Sequence, residues 1–379
     1  MQSKLPDYGT TIFTVMSALA AEHNAINLSQ GFPDYDGPLA LREAMARAVM
    51  DGNNQYPPMA GLPALREQIS EKLQRYYRVS ASPDSEITVT PGATEAIYCA
   101  ITACIGQGDE VIVFDPCYDS YQPAIQLSGG ITRHIAMHEP NFSIDWDEVE
   151  EQVNARTRMI IVNSPHNPTG AVLTDSDLRS LEALAVKHKL IVVSDEVYEH
   201  LLFDGAQHCS VLQYPGLRER SFAIFSFGKT FHVTGWKTGY CVAAPELSAE
   251  LRKVHQFVTF VGVHPIQKAL AEFMREQPDY PAGLAAFYQE KRDLFCQLLE
   301  PSRFTFTPSA GTYFQLLDYS GISTEADTEA ARRYTRERGI ASIPVSVFSQ
   351  QPLNGRYLRF CFAKSETMLR QAAEILCAI

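Results

Sequence analysis

The 379-residue chain is long enough to bury two hydrophobic cores, so two domains are the starting expectation. Its content of 45% hydrophobic and 20% charged residues is typical of globular proteins and excludes the disordered and fibrous classes. The 32 basic and 44 acidic residues give a net charge of -12, which argues against nucleic acid or an anionic membrane as a partner.

The cysteines and the N-terminal segment indicate a cytoplasmic protein. No two of the 8 cysteines have the C-x-x-C spacing of zinc or redox motifs, and Cys241 and Cys361 lie in apolar runs. This pattern predicts reduced, buried thiols and no metal site. The segment MQSKLPDYGTTIF lacks the apolar stretch of a secretory signal, and no apolar run approaches the ~20 residues that cross a bilayer.

Short apolar runs rich in β-branched residues recur between about residues 87 and 245. They are EITVT, EVIVFD, RMIIVN, LIVVSDE, FAIFSF and YCVAA. Runs that are apolar on both faces and alternate with helical patterns predict a mainly parallel sheet sandwiched by helices. Beyond residue 266, longer helical patterns precede two shorter strand candidates. We therefore predict an α/β protein with a large domain at 40–275 and a smaller α+β domain formed by 1–39 and 276–379.

The segment EITVTPGATEAIY predicts a strand over 86–90, a Pro-Gly turn and a helix that opens near Thr94. The free N–H groups and dipole of a helix N-terminus can hold an anion. An ordinary strand-to-helix turn with Thr94 as the helix cap is the competing interpretation.

Two later strands end in polar groups. The strand of IIVNSPHNPTG runs into an Asn-Pro segment that presents Asn167, which is either a structural loop or part of a ligand site. Asp195 ends the apolar strand of LIVVSDEVYEH and needs a partner if it is buried. Tyr198 can face the same site if a turn starts there. We expect Glu199 and His200 to face solvent, because the zinc motif H-E-x-x-H is absent.

The segment IFSFGKTF places Lys229 after another apolar strand. Its GKT letters resemble the end of a phosphate-binding P-loop, but the glycine that this motif requires is replaced by Ala223. A lysine just after an apolar strand and flanked by Ser226 and Gly228 is better suited to act as an amine in a partly desolvated pocket, where its pKa falls and it can form an imine. A solvated surface lysine is the alternative for this residue taken alone.

Taken together and in order, these motifs resemble the class I aminotransferases of the fold-type I pyridoxal-phosphate family. The resemblance covers nearly the whole chain, in SFGKTFHVTGWKTGY, SPHNPTG and SDEVYEH. INLSQGFPDY and NQYPPMAGLPALR are similar to segments of its kynurenine/glutamine aminotransferase branch. The resemblance implies pyridoxal 5'-phosphate as cofactor and amino acids and 2-oxo acids as substrates. It implies a ping-pong transfer of the amino group of methionine or of an aromatic or apolar amino acid.

The resemblance also implies the roles of the residues around the ring of the cofactor. Lys229 would carry the cofactor as a Schiff base and then move a proton from the substrate. Asp195 would keep the pyridine nitrogen protonated, and Asn167 and Tyr198 would hydrogen-bond the phenolic oxygen. Tyr118 would stack on the ring.

Further positions correspond to the ends of the bound molecules. Those implied to hold the phosphate are Ala93, Thr94, Ser226, Lys237 and, from the partner subunit of a homodimer, Tyr56. Arg359 would clamp the substrate carboxylate with its planar fork, beside Gly31 of an N-terminal arm. The family most often has Arg at position 237, and Lys237 keeps the charge without the fork. His232 and Thr238 also differ from the commonest residues of the family.

Several alternatives remain at this point. The same scaffold supports carbon–sulfur β-lyase and kynurenine aminotransferase activity. A regulator that binds the cofactor without catalysis is a remote possibility, because only some 25 residues precede INLSQGF and the charge is acidic. Tyr8, Tyr56, Tyr118 and Phe260 are candidates for an aromatic or apolar substrate pocket, although Phe260 fits core packing equally well. No second arginine for a dicarboxylate side chain is identifiable.

Overall fold

A computed structural model of the chain describes residues 3–379. Its helices are α1 (Ile12–Glu22), α2 (Leu39–Met50), α3 (Pro63–Tyr77), α4 (Ala93–Cys104), α5 (Tyr121–Leu127), α6 (Trp146–Gln152), α7 (Asp175–His188), α8 (Pro215–Arg218), α9 (Phe227–Thr230), α10 (Pro245–Val258), α11 (His264–Glu276), α12 (Leu284–Leu299), α13 (Asp327–Arg333) and α14 (Glu366–Cys377). Its strands are β1 (Ile26–Asn27), β2 (Ile87–Thr90), β3 (Glu110–Asp115), β4 (Ile131–Ala136), β5 (Thr157–Asn163), β6 (Ile191–Asp195), β7 (Ser221–Ser226), β8 (Gly239–Ala243), β9 (Phe314–Asp318), β10 (Ile340–Ala341), β11 (Ile343–Pro344) and β12 (Tyr357–Cys361).

The large sheet has seven strands in the order β2-β8-β7-β6-β5-β3-β4. The neighbours from β7 to β4 are parallel, whereas β8 runs antiparallel to both β2 and β7. The prediction of a mainly parallel α/β sheet is therefore confirmed.

Helices cover both faces of this sheet. Alternate side chains of a strand point to opposite faces, and here the side chains on both faces are apolar and pack against helices. In β3, Ile112 and Phe114 join one buried cluster with residues of α3, α7 and α11. Val111 and Val113 join a second cluster with residues of α4, α5 and α10. Within residues 3–379, the structure contains no helix that is both long and apolar enough to cross a membrane.

The N-terminal and C-terminal parts of the chain share a third buried cluster, around the antiparallel sheet β11-β12-β9. In it, α12 contributes Tyr288 and α14 contributes Leu369. The short strand β1 pairs in parallel with β10 and so joins the N-terminal segment to the C-terminal part. The predicted domain limits, 40–275 against 1–39 with 276–379, stay a prediction.

One strand of the large sheet, β4, was not among the predicted runs. It lies at the sheet edge, and its residues alternate between exposed and half-buried. There Arg133 donates two hydrogen bonds of 2.8 Å to the buried carboxylate of Glu110 on β3. An edge strand with one wet face contains polar residues, so a search for continuous apolar runs misses it.

Candidate active site

A cavity of about 320 Å³ lies where the carboxyl ends of β5, β6 and β7 meet the turn before α4. This edge of a parallel sheet is the usual position of a ligand site in α/β folds. The predicted site residues in its wall are Gly31, Ala93, Thr94, Tyr118, Asn167, Asp195, Tyr198, Ser226, Lys229, Lys237 and Arg359. Of the residues implied to hold the cofactor or the substrate carboxylate, Tyr56 is the one that lies outside the wall.

The amine of Lys229 extends into this cavity from α9, the single helical turn after β7. Its Nζ donates to the hydroxyl oxygen of Tyr313 at 2.8 Å and lies 3.2 Å from the carbonyl oxygen of Gly31. Burial lowers the pKa of Lys229 to about 8, and the charges of Lys237 and Arg359 act in the same direction. About a tenth of this amine is therefore neutral at pH 7, far more than for a lysine in water.

The carboxylate of Asp195 is buried at the end of β6, with 4% of the residue exposed. It accepts hydrogen bonds from the hydroxyl of Tyr121 at 2.7 Å and the backbone N–H of Val197 at 3.3 Å. Burial raises its pKa to about 6, although both hydrogen bonds oppose this shift. No cationic side chain within residues 3–379 forms an ion pair with Asp195, so it is available to a cationic ligand group.

Asn163, the last residue of β5, holds the Asn-Pro loop next to Asp195. Its side-chain oxygen accepts from the backbone N–H of Asn167 at 2.8 Å. Its side-chain amide donates to the backbone carbonyls of Asp195 at 2.8 Å and Pro165 at 3.2 Å. The Asn167 side chain is therefore carried into the cavity by a loop that is tied to the neighbouring strand.

The guanidinium of Arg359 enters the cavity from the small sheet and is 1% exposed. It donates to the side-chain oxygen of Asn167 at 2.6 Å and to the backbone carbonyl of Ser29 at 3.1 Å. It also packs over the ring of Phe314, 3.8 Å from the ring centroid. Its Nε has no hydrogen-bond partner among the described residues. A buried guanidinium without a carboxylate is ready to bind an anionic group.

The turn between β2 and α4 forms the other end of the cavity. Gly92 adopts a φ of 83°, which glycine tolerates, and caps the first turn of α4. The backbone N–H groups of this first turn have no acceptor within the helix. The Nζ of Lys237 lies 3.4 Å from the hydroxyl of Thr94, and Ser226 lies beside them in the same wall. Hydroxyls, backbone donors and an ammonium form a set that suits a phosphate.

Two tyrosines complete the polar wall. Burial raises the pKa of Tyr118 to about 12 and raises that of Tyr198 further, so both phenols stay protonated at neutral pH. The ring of Tyr198 packs edge-on against the ring of Tyr313, with 5.1 Å between centroids. Tyr198 follows Asp195 through a turn, as the sequence predicted.

Tyr56, by contrast, is 80% exposed and packs edge-on against Phe260 at 5.5 Å between centroids. Phe260 and Tyr8 also lie outside the cavity wall, so of the four pocket candidates only Tyr118 lines it. Phe13 and Phe314 are the aromatic side chains that the sequence did not suggest for this wall.

The prediction that Glu199 and His200 face solvent is wrong. Glu199 is 4% exposed, and the side chain of His200 is 8% exposed. The carboxylate of Glu199 accepts close hydrogen bonds from the ammonium of Lys72 and the hydroxyl of Tyr77, both on α3. These partners lie more than 100 residues upstream, so no local pattern indicated that the carboxylate is buried.

Three residues that contact the site were not predicted: Tyr121, Asn163 and Tyr313. Asn163 and Tyr121 carried a signal in the sequence, because one ends a predicted strand and the other stands three residues after Tyr118. Tyr313 carried none, since it lies directly before β9 of the small sheet and meets Lys229 only through the tertiary fold.

Known proteins resemble this chain over its full length. Residues 23–376 match the model of the family described as aminotransferase class I and II. Methionine aminotransferase of Escherichia coli strain K12 is 53% identical over 99% of this chain and 97% of its own length. Kynurenine–oxoglutarate transaminase of Dictyostelium discoideum is 32% identical over 97% of this chain and 94% of its own length. A solved Escherichia coli structure, described as having a methionine aminotransferase function, superposes with a TM-score of 0.98 at 52% identity and covers 100% of this chain and 99% of its own.

Proposed function

The chain belongs to the class I and II aminotransferase family, and from that premise we propose that it transfers the amino group of methionine, or of an aromatic or other apolar amino acid, to a 2-oxo acid. The similarity to methionine aminotransferase, at 53% identity over nearly the whole chain, supports methionine as an amino donor. The transfer would follow a ping-pong course, in which the first product leaves before the second substrate binds.

One observation carries this proposal: the amine of Lys229 and the guanidinium of Arg359 line the same cavity. An amino acid presents a carboxylate and an amine on one carbon. Arg359, which lacks a carboxylate partner among residues 3–379, is suited to bind the first of these groups. Lys229 is then close to the carbon on which the chemistry must take place.

The cavity also fits pyridoxal 5'-phosphate. Thr94, Ser226, Lys237 and the first turn of α4 would hold its phosphate. The buried carboxylate of Asp195 would pair with its protonated ring nitrogen. When bound, this cofactor supplies an aldehyde that condenses with amines and a cationic ring that withdraws electrons from them.

The residues of the chain would bind and orient the cofactor and the substrate and move the proton. Lys229 would hold the cofactor and would take a proton from the substrate carbon. Asn167 and Tyr198 would donate to the cofactor's phenolic oxygen, and the ring of Tyr118 would pack on its face. Arg359 would orient the carboxylate and so the bond that loses its proton, with Gly31 beside it.

The charges of the wall argue against a dicarboxylic substrate. The lysines and arginine that line the cavity within residues 3–379 are Lys229, Lys237 and Arg359, and the proposed roles engage all of them. Phe13 and Phe314 add apolar surface, which suits a thioether or an aromatic ring better than a second carboxylate.

We also propose a homodimer in which Tyr56 of one subunit reaches the phosphate of its partner. Large apolar side chains are exposed in the sequence segments that contain Tyr56 and its contact Phe260, among them Phe257 at 86%, Val263 at 56% and Met50 at 85%. Exposed apolar surface of this kind is typical of protein interfaces. A cytoplasmic location is proposed as well, because each of the eight cysteines is a free thiol.

Spectroscopy of the purified protein with added pyridoxal phosphate tests the proposal. We expect an absorption band near the visible edge from the Lys229 imine, and its loss in Lys229→Met. Addition of methionine should bleach this band at least about 100-fold faster than addition of aspartate, because Lys229, Lys237 and Arg359 are engaged and no further cation lines the wall within residues 3–379 for a second carboxylate. A protein that binds no pyridoxal phosphate, or one that reacts with aspartate as fast as with methionine, would contradict the proposal.

A carbon–sulfur β-lyase or a kynurenine aminotransferase is the second candidate, favoured by the similarity to kynurenine–oxoglutarate transaminase. Pyruvate release from a cysteine conjugate would indicate lyase activity, and the half-reaction with kynurenine would rank that substrate against methionine.

A further inference from the structure

Tyr313 connects three parts of the molecule at the cavity. It precedes β9 of the small sheet and is 0% exposed. Its hydroxyl lies 2.8 Å from the Nζ of Lys229 in the large lobe and 2.5 Å from the carbonyl oxygen of Gly31 in the N-terminal segment. The proposed function assigns no role to Tyr313.

The directions of these hydrogen bonds follow from counting hydrogens. A phenol has one hydrogen, and the carbonyl oxygen of Gly31 can only accept, so the Tyr313 hydroxyl donates to Gly31. Its oxygen must then accept from the Nζ of Lys229. The Gly31 carbonyl also accepts from the same Nζ at 3.2 Å. Both neighbours of the amine are therefore acceptors.

A neutral amine has two N–H hydrogens and one lone pair. With two acceptors, both hydrogens are engaged and the lone pair is left free. An ammonium would carry a third hydrogen, for which the described residues provide no further partner. The two acceptors are neutral dipoles, whereas Lys72, the comparison within this chain, contacts a carboxylate.

We propose that Tyr313 is a positioning residue for Lys229: with the carbonyl of Gly31 it engages both N–H bonds of the free amine and so leaves the lone pair to take the proton from the substrate carbon. This inference rests on the proposed function. As the N–H bond forms, the C–H bond breaks and its electron pair stays on the substrate side. The ammonium later returns the proton and regains the neutral form.

The surroundings of Lys229 are consistent with this assignment. The groups that face it are Asp195, Tyr198, Lys237, Arg359 and Cys361. Burial is the largest influence and lowers the pKa of the amine, and the two cations add to this effect while Asp195 and Cys361 oppose it. The amine therefore loses its proton readily, and Tyr313 determines how it is oriented.

The change Tyr313→Phe tests this role because it removes the hydroxyl and keeps the ring that packs against Tyr198. Tyr319→Phe is the matched control. Tyr319 is also 0% exposed in the small lobe, and its hydroxyl donates to a backbone carbonyl, that of Glu325, at 2.9 Å.

The first measurement uses protein from which cofactor has been removed. Acetic anhydride labels neutral amines, and peptide mass mapping follows Lys229 as pH varies. An acceptor stabilises an ammonium more than an amine, so loss of the hydroxyl should move the labelling midpoint of Lys229 down by about one pH unit. The Tyr319→Phe protein should keep the midpoint of the unmodified protein.

The second measurement uses protein loaded with pyridoxal phosphate and compares methionine with its α-deuterated form. In Tyr313→Phe we expect the half-reaction to slow by about 10- to 100-fold and the isotope effect to increase, because proton transfer has become less well aligned. An unchanged labelling midpoint with an unchanged half-reaction would overturn the inference, as would equal effects in Tyr319→Phe. If the unmodified protein binds no pyridoxal phosphate, the proposed function fails, and the labelling midpoint still tests the contact with Lys229.

Discussion

Two lysines withdrawn from solvent differ in what surrounds them. Lys72, which is 8% exposed, forms an ion pair with Glu199 and a 3.2 Å hydrogen bond to the hydroxyl of Tyr240. Lys229 lines the cavity and contacts only neutral oxygens, those of Tyr313 and Gly31. One lysine has its counter-charge within the fold, and the other does not.

The buried carboxylates differ in the same way. Burial raises the pKa of Glu199, but Lys72 and His200 outweigh it and lower that pKa overall. Asp195, four residues earlier, has no cationic partner in residues 3–379, and burial raises its pKa to about 6. Buried charges that are paired within the chain have their desolvation offset by the partner. Those left without partners mark the place where a ligand supplies them.

The change Lys229→Met should have the largest effect on catalysis. We expect turnover of amino acids to fall by about 10⁴-fold or more, because the amine that carries the proton is lost. The unfolding free energy of the cofactor-free protein should stay equal or increase, because a desolvated amine without a carboxylate partner is replaced by an apolar side chain. Single-turnover kinetics and urea unfolding measure the two effects.

The same substitution at Lys72 should lower stability and leave catalysis nearly unchanged. Lys72→Met leaves Glu199 buried without a counter-charge and should lower the unfolding free energy by about 3–5 kcal/mol. The half-reaction rate of the folded fraction should change by less than about 3-fold, since Lys72 lies outside the cavity wall.

The double variant Lys72→Met with Glu199→Leu is the control for this effect. It removes both charges and should recover at least half of the lost stability. Equal stability of the single and double variants would show that the ion pair is not what holds this region together.

The comparison also explains what the sequence predicted. Strands buried on both faces have continuous apolar runs, which the sequence shows directly. The polar residues that end or follow these runs predicted the sheet edge at which the cavity lies, namely Asn167, Asp195 and Lys229. Such information is local, because strand, turn and end group are adjacent in the chain.

The rest depended on contacts between distant segments. Glu199 follows Tyr198 directly and resembles a surface residue, yet its partner Lys72 is 127 positions away. Tyr313 likewise meets Lys229 across 84 positions. A hydrophobic pattern cannot show whether a polar side chain finds a partner in the interior, because the partner is brought to it only by the packing of helices on the sheet.

Unpaired charges should also make stability depend on pH. The folded-state pKa of Lys229, about 8, lies below the ordinary lysine value of 10.5 expected for the unfolded chain. Between these values the unfolded chain binds more protons, so the stability of the cofactor-free protein should increase as pH rises through this range, by at most about 3 kcal/mol. The measurement is the difference in unfolding free energy between the unmodified protein and Lys229→Met at several pH values.

Asp195 should change the unfolding free energy with pH in the opposite direction. Its folded-state pKa of about 6 lies above the ordinary aspartate value of 3.8, so its contribution to stability is present at low pH and is lost as pH rises through 6. Asp195→Asn should remove this decline. If neither substitution changes the pH profile, the contrast between paired and unpaired buried charges does not extend to their titration.

Two of the buried arginines, Arg292 and Arg359, sharpen the comparison with the smallest expected effect. Arg292, which is 3% exposed, binds both carboxylate oxygens of Asp204 at 2.6 and 2.7 Å, whereas Arg359 has no carboxylate partner in the described chain. Arg359→Lys keeps the charge but loses the planar fork, so kcat/KM should fall by about 100-fold for every amino acid while the absorption of the bound cofactor stays unchanged. In Arg292→Lys the loss should appear as lower thermal stability instead. If Arg359→Lys reduced kcat/KM no more than Arg292→Lys does, Arg359 would be a structural residue like Arg292, and the carboxylate of the substrate would have to bind elsewhere in the cavity.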